Sequence, residues 1–271
     1  MADDQIDAIY VATPHSEHFK NALLALDAGK PVLVEKAFAR NAAEASRIIA
    51  AARRTRIFAA EAMWSRYLPH YDVVRRALVD GVLGDLVLVQ ADLGHRRWPR
   101  GPERLSRPDL AGGALLDLGV YGVSFAEYLM GQPTAMHAVG TLLESGVDAT
   151  AVLALRGAAG GQASVTTSMV AATPTTATIV GTLGRIELDG PFYCPTVIRL
   201  LTPDGRCVDE RDFRIPSPTA AFNYQAAAVA RAIAGGSTEV AQMSHSSTVV
   251  VMEILDEARR QIGVVYPGEL S

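Results

Sequence analysis

The first sixty residues alternate short, fully apolar runs with longer amphipathic stretches, and few folds accommodate that order. Ala8 to Ala12 (AIYVA) is a brief run with β-branched and aromatic members, bounded by Thr13 and Pro14, as expected of a strand buried on both faces. A helix is predicted next, capped by Ser16, with Glu17 in its first turn, Phe19, Leu23 and Leu26 on one face, and Gly29 at its end. Pro31 to Val34 reads as a second strand. Asn41, with Glu44 three residues on, is a capping-box-like start to a helix that carries Ala45, Ile48, Ile49 and Ala52 and closes on Arg53 and Arg54. Ile57 to Ala60 makes a third strand. Strands separated by helices of this length imply right-handed crossovers and a parallel sheet, so all three carboxyl ends face one way. Ligands of open parallel sheets bind at that edge.

The predicted edge carries Thr13, Pro14, His15 and Ser16 after the first strand, Glu35 and Lys36 after the second, and Glu61 to Trp64 after the third. A lysine directly following a buried strand has its stem in an apolar wall and its amine at the ligand edge, where it can move a proton. A surface lysine paired with Glu35 is the equal alternative. His15 and His18 are three apart, but no third or fourth ligand has suitable spacing. They read as lining a cofactor cleft or capping the helix, and no metal is expected.

From about Tyr67 the pattern changes, which predicts a boundary between residues 1–66 and a second domain over residues 67–271. A helix through Tyr71 to Val79 and a Gly81/Gly84 turn lead into the alternating stretch Leu86 to Leu93. Later come β-rich stretches at Ala135 to Leu143, Ala149 to Leu155, Gly161 to Met169, Thr175 to Val180, Arg185 to Leu188 and Val197 to Leu201. Short strands joined by glycine-containing turns favour an open, mostly antiparallel sheet. Two late helices, near Phe222 to Ala234 and Ser246 to Ile262, are expected to cover one face of it. The expected fold class is therefore α/β plus α+β: a partial parallel sheet followed by a larger α+β domain.

Between those parts lies Gly112-Gly-Ala-Leu-Leu-Asp117-Leu-Gly-Val-Tyr121. Asp117 and Tyr121 are four apart and share a face on a helix. Two polar groups converging in an apolar helix suggest chemistry; an aspartate cap beside a core tyrosine is the plainer alternative. The net charge of −4 supplies no broad positive field, which argues against nucleic-acid and anionic-membrane binding. The cluster Arg96, Arg97, Trp98, Pro99 and Arg100 reads as a solvated loop or the wall of a polar-substrate pocket. No apolar run approaches the roughly 18 residues of a membrane span, and residues 1–7 lack a signal-peptide pattern. Two cysteines, Cys194 and Cys207, are too few for a disulfide framework, which points to a reducing cytoplasm.

Together these residues resemble the Gfo/Idh/MocA oxidoreductase family. Asp7 to His18 (DAIYVATPHSEH) is similar to its fourth Rossmann strand and following turn, and Glu35-Lys36-Ala37 to its EKP motif with the proline replaced. Asp117-Leu-Gly-Val-Tyr121, Gly181 to Leu188 and Gly263 to Pro267 also fit, so the resemblance spans nearly the whole chain. Tyr121 together with Glu61-Ala-Met-Trp64-Ser-Arg66-Tyr67-Leu-Pro69 looks closest to the dihydrodiol and D-xylose dehydrogenase branch. The resemblance implies proton transfer by Lys36 and Tyr121, substrate positioning by Asp117, and a substrate pocket bordered by Trp64, with Trp98 and Phe222 further candidates. It implies a cofactor, NADP or NAD, along Thr13, Pro14, His15, His18, Glu35 and Lys36, with Arg66 a further contact. The implied substrate is a small polyhydroxylated molecule, and the implied mechanism has the Lys36 ammonium acidify the Tyr121 phenol.

Against the family pattern, no GxGxxG follows a first strand. The expectation is that the half of the Rossmann sheet that grips pyrophosphate is absent, through a misplaced start, trimming or a natural product. Cofactor affinity should fall, the segment that sets NAD against NADP preference is not present, and Ala8 to Val11 should become an apolar edge. A homodimer through the open sheet face is implied. A catalytically silent, regulatory or dimerising relative is the other reading.

Overall fold

Val32 and Val34 are buried without trace of solvent and Val11 nearly so, because the strands they sit on are flanked by helices on the core side. A computed structural model describes Asp3 and residues 5–269; Met1, Ala2, Asp4, Leu270 and Ser271 lie outside the described residues. Strands β1 (Ile9–Val11), β2 (Val32–Glu35) and β3 (Ala59–Ala62) form a parallel sheet in the order β1-β2-β3. Helices α1 (His15–Asp27) and α2 (Ala42–Thr55) make the crossovers. Strand β1 pairs with β2 alone, so its other edge is free among the described residues, and Tyr10 on it is 54% exposed.

Two capping expectations diverge. Asn41 caps α2 as predicted, its side chain accepting from the Glu44 amide at 2.9 Å, while Glu44 reaches back to the Arg40 amide at 3.1 Å. Ser16 does not cap α1. That helix begins one residue earlier, after Pro14, and the Ser16 hydroxyl is buried with no hydrogen-bond partner.

Beyond a 3₁₀ turn (Trp64–Tyr67) and α3 (Pro69–Val79), strand β4 (Leu86–Gly94) enters a second sheet. It is joined by β5 (Pro133–Leu142), β6 (Asp148–Gly157), β7 (Gln162–Ser168), β8 (Ala177–Gly181), β9 (Arg185–Leu188), β10 (Val197–Leu201) and β11 (Cys207–Asp212). The order is β11-β10-β9-β8-β4-β7-β6-β5, and only β4 with β7 runs parallel. Strand β11 escaped sequence reading because CVDERD is charged, and as an edge strand it is almost wholly exposed.

Helix α4 (Val120–Met130) packs on β4 and β7, and its apolar residues need no amphipathic stripe because it is buried nearly throughout. Of the two late helices expected over the large sheet, α6 (His245–Ile262) lies against β5, α4 and α2, whereas α5 (Phe222–Ala234) packs mainly on the Trp64–Tyr67 turn. The C-terminal part also closes on the small sheet. The Ala59 amide donates to the Thr238 carbonyl at 3.1 Å, and Thr248 donates to the fully buried Glu61 at 3.0 Å.

Candidate active site

Lys36 leaves β2 at the carboxyl edge, and the backbone around it is pinned. His18, fully buried, places Nδ1 at 2.9 Å from the Ala37 carbonyl and Nε2 at 2.8 Å from the Thr13 carbonyl. Burial lowers its pKa, so the ring is neutral and donates to one of the two. His18 thus straps the end of β1 to the residue after Lys36 and does not line a cleft. His15 is also turned inward, its Nδ1 at 2.9 Å from the Ala111 carbonyl; burial, then the neighbouring His18 and Lys36, push its pKa down to about 3. Both histidines were expected to line the cofactor cleft or cap the helix; in the fold each ring meets a buried carbonyl. Thr13 and Pro14 remain at the edge with accessible surface.

A second device delivers Asp117. Gly113 has φ +114°, and a Cβ there would fall 2.1 Å from Asp148 Oδ1, so no other residue fits. Asp148 Oδ2 accepts the Leu115 amide at 2.6 Å, and the Tyr266 hydroxyl donates to the Gly112 carbonyl at 2.6 Å. From this anchorage Leu115–Gly119 forms a π-helical turn before α4 begins. Single π turns inside helices often mark functional sites, since they re-aim side chains without ending the helix. The predicted plain α-helix over Asp117 and Tyr121 is corrected accordingly.

The result brings residues 36, 117 and 121 together. Lys36 Nζ donates to the Asp117 carbonyl and lies 3.6 Å from Asp117 Oδ1, with both side chains 12% exposed. It sits 5.0 Å from the Tyr121 ring centroid, over the face rather than at the hydroxyl. Lys36 pairs with Asp117 and not with Glu35, whose carboxylate accepts from the Tyr10 hydroxyl and the Lys36 amide. Arg104 adds a second cation at 3.0 Å from Asp117 Oδ1. Burial alone would raise the Asp117 pKa; Lys36, Arg104 and His15 outweigh it and hold the carboxyl at about 2. Asp117 is no helix cap.

The Tyr121 phenol behaves opposite to expectation. Its oxygen accepts the Trp64 indole N–H at 3.0 Å, yet burial, then Glu35, Asp117 and Cys194, raise its pKa well above the ordinary value. The Lys36 ammonium over the ring face is drawn to the aromatic π cloud.

An aromatic wall surrounds this centre. Tyr193 stacks on Tyr121 at 4.5 Å, Trp64 meets Phe222 at 4.8 Å, and His95 Nε2 lies 3.0 Å from the Tyr193 hydroxyl. Trp98 does not join them: it is 40% exposed on the loop after β4 and makes no ring contact among the described residues. Arg66, expected as a cofactor contact, makes its hydrogen bonds within the protein. It is buried, donates to the Ser124 hydroxyl at 2.8 Å, the Ser124 carbonyl at 2.7 Å and Glu127 at 2.5 Å, and so fastens the Trp64–Tyr67 turn to α4. Arg104, Tyr193, His95 and Asp148 were not foreseen. They arrive from loops and strand ends with no local spacing, and only Arg104, close to the arginine cluster, left a faint trace.

The family profile for "Oxidoreductase family, NAD-binding Rossmann fold" matches residues 1–61, and that for the GFO/IDH/MocA C-terminal domain matches residues 71–187. Trans-1,2-dihydrobenzene-1,2-diol dehydrogenase of Danio rerio is 36% identical over 97% of this chain and 80% of that protein. The chain belongs to the GFO/IDH/MocA oxidoreductase family. Among solved members similar in fold, a 3-ketoreductase from Actinomadura kijaniata in complex with NADP and TDP-benzene superposes with a TM-score of 0.84 at 26% identity, covering 98% of this chain and 81% of that one. Aldose-aldose oxidoreductase from Caulobacter crescentus gives 0.85 at 24% identity, covering 96% and 78%.

An apolar cavity adjoins the centre of this GFO/IDH/MocA oxidoreductase. A cavity of about 740 Å³ runs beside β1, walled by Ile9, Tyr10 and Leu33 on the sheet and Phe222, Val229 and Ile233 on α5. Its members touch the centre already described: Phe222 packs on Trp64, and Tyr10 bonds to Glu35. An apolar wall with a few convergent polar groups is what a planar, partly polar ring requires. Among the described residues no group of three His, Cys, Asp or Glu side chains is placed to hold a metal, and no helix is long and apolar enough to cross a membrane.

Proposed function

We propose that this oxidoreductase transfers a hydride between NADP or NAD and a hydroxyl-bearing carbon of a sugar, polyol or trans-dihydrodiol, with Lys36, Asp117 and Tyr121 at the reacting carbon. One observation carries the reading: an amine from the end of β2 and a carboxylate and phenol some eighty positions later meet at the carboxyl edge of a parallel sheet. The nicotinamide ring, when bound, supplies the hydride acceptor or donor.

The chain's own groups divide the rest. The Tyr121 oxygen accepts from the Trp64 indole while its own proton points to the substrate oxygen, and a raised phenol pKa makes it an acid rather than a base near neutrality. The Lys36 ammonium provides positive charge where an alkoxide develops. Asp117 stays ionised across the working pH range; it holds Lys36 and offers Oδ2 to a neighbouring substrate hydroxyl. Trp64 and Phe222 give the sugar or diol ring an apolar face.

The proposal extends to a division at residues 66/67, the first part holding the cofactor and the second the substrate. It also includes a homodimer through the large sheet's open face, where Val152, Ala154, Thr166 and Thr178 leave side chains accessible, and a cytoplasmic setting suited to two free cysteines. Lys36→Met and Tyr121→Phe test the core of it. Each should lower turnover of aldoses or dihydrodiols by about 100-fold or more at saturating NADP or NAD. Wild-type turnover in both variants would overturn the assignment.

A further inference from the structure

The stretch from Arg96 to Arg107 holds five arginines against the single carboxylate Glu103, in a chain whose net charge is −4. That concentration is unlike anything else in the sequence, and the fold sets it beside the reacting centre. We propose that the substrate is anionic, a sugar or diol carrying a carboxylate or phosphate group, and that Arg97 and Arg104 receive that group.

The arginine loop is held in place rather than loosely solvated. The Arg97 amide donates to the Met169 carbonyl at 2.8 Å and the Trp98 amide to the same oxygen at 2.9 Å, fastening the loop to the end of β7. Arg104 already reaches the centre through its 3.0 Å contact with Asp117, with its side chain 39% exposed. The Arg97 guanidinium lies within electrostatic range of both Tyr193 and His95, the pair that lines the far side of Tyr121. Arg107 is taken up by Glu103 and Asp109, but Arg96, Arg97 and Arg100 have no carboxylate partner among the described residues.

The charge count favours an anion. At the centre Lys36 and Arg104 stand against Asp117 and Glu35; Arg97, which acts on the adjoining His95 and Tyr193, adds one positive charge in excess, and His15 is neutral because burial holds it at about 3. A net-positive cleft in a net-negative protein concentrates anions and repels none of its own surface. A neutral polyol can accept hydrogen bonds from these cations but gains no charge–charge attraction from them. Arg97 suits a carboxylate or a phosphate equally, since the guanidinium fork matches both.

The inference rests on the proposed site, but a binding measurement separates the two. Glucose, glucuronate and glucose 6-phosphate are titrated into the full chain by calorimetry and by fluorescence of its two tryptophans, Trp64 and Trp98, with and without NADP. At least one acid should bind about fivefold tighter than glucose in dilute buffer, and the ratio should shrink in roughly 0.5 M salt. Arg97→Gln should bring that ratio down about threefold, whereas Arg206→Gln in the β10–β11 turn, which removes the same charge elsewhere, should not. The two acids distinguish a carboxylate from a phosphate ligand. Equal affinity for all three sugars, or absence of binding by both acids at about 10 mM, overturns the proposal. So does an Arg97→Gln effect confined to the affinity for NADP, which would assign the loop to a cofactor phosphate. Acid binding without turnover would instead leave the proposal standing and remove the dehydrogenase reading.

Discussion

Asp148 offers the sharpest test of how the site is built. It is fully buried at the start of β6, accepts the Leu115 amide through Oδ2, and keeps Oδ1 without a partner beside Gly113. Burial pushes its pKa up to about 6, with the Leu115 amide only partly opposing. A carboxyl whose folded pKa lies above its unfolded value binds its proton more tightly when folded. Its effect is therefore neutral below about pH 4, a loss of stability that accumulates between about pH 4 and 6, and a constant penalty above. A carboxyl raised from its ordinary value to about 6 carries roughly 3 kcal/mol of this penalty. Asp148→Asn keeps a carbonyl oxygen for the Leu115 amide and cannot ionise. Its stability relative to wild type should rise by about 3 kcal/mol between pH 4 and 7, whatever constant offset the substitution adds. Urea unfolding followed by tryptophan fluorescence at half-unit pH intervals reads this difference. A difference that is flat within about 0.5 kcal/mol, or that falls with pH, would refute the account of Asp148 as a buried, ionised anchor of the π turn.

Other consequences are smaller in scope. Because the phenol of Tyr121 is held protonated, kcat/KM for alcohol oxidation should climb with pH through at least about 9 without a plateau; a plateau reached below about 8 would assign the base to another group. Trp64→Phe preserves the aromatic wall but removes the 3.0 Å hydrogen bond to Tyr121, and turnover should fall about tenfold with KM changing less; steady-state kinetics decide. Arg66→Met strands Glu127 on α4 without its cation, which should cost about 3–5 kcal/mol of stability, and a loss under about 1 kcal/mol by chemical denaturation would contradict the buried pair.

Much of the architecture was legible because its determinants are local. The spacing of Ile48, Ile49 and Ala52, the cap at Asn41 and the valines of β2 each depend on neighbours within a few residues, and the periodicities of 3.6 and 2 report them directly. Strands β9 and β10 and helix α5 fall where alternation and composition put them. Lys36, Asp117 and Tyr121 were likewise visible as candidates, since each breaks an apolar pattern at a strand end or within a helix.

What sequence alone determined, then, was which segments become strands and helices, the charged edge strand β11 excepted, and which polar groups stand at their ends. Tertiary structure decided where those groups point. It turned His15, His18 and Arg66 inward, since each must satisfy buried carbonyls or a carboxylate contributed by a distant segment. It replaced a plain helical turn with a π turn anchored by Asp148, and it raised rather than lowered the Tyr121 pKa. Desolvation and Coulomb energy depend on the distance to every neighbouring group, and for Tyr121 those neighbours lie as far apart in the chain as Glu35 and Cys194.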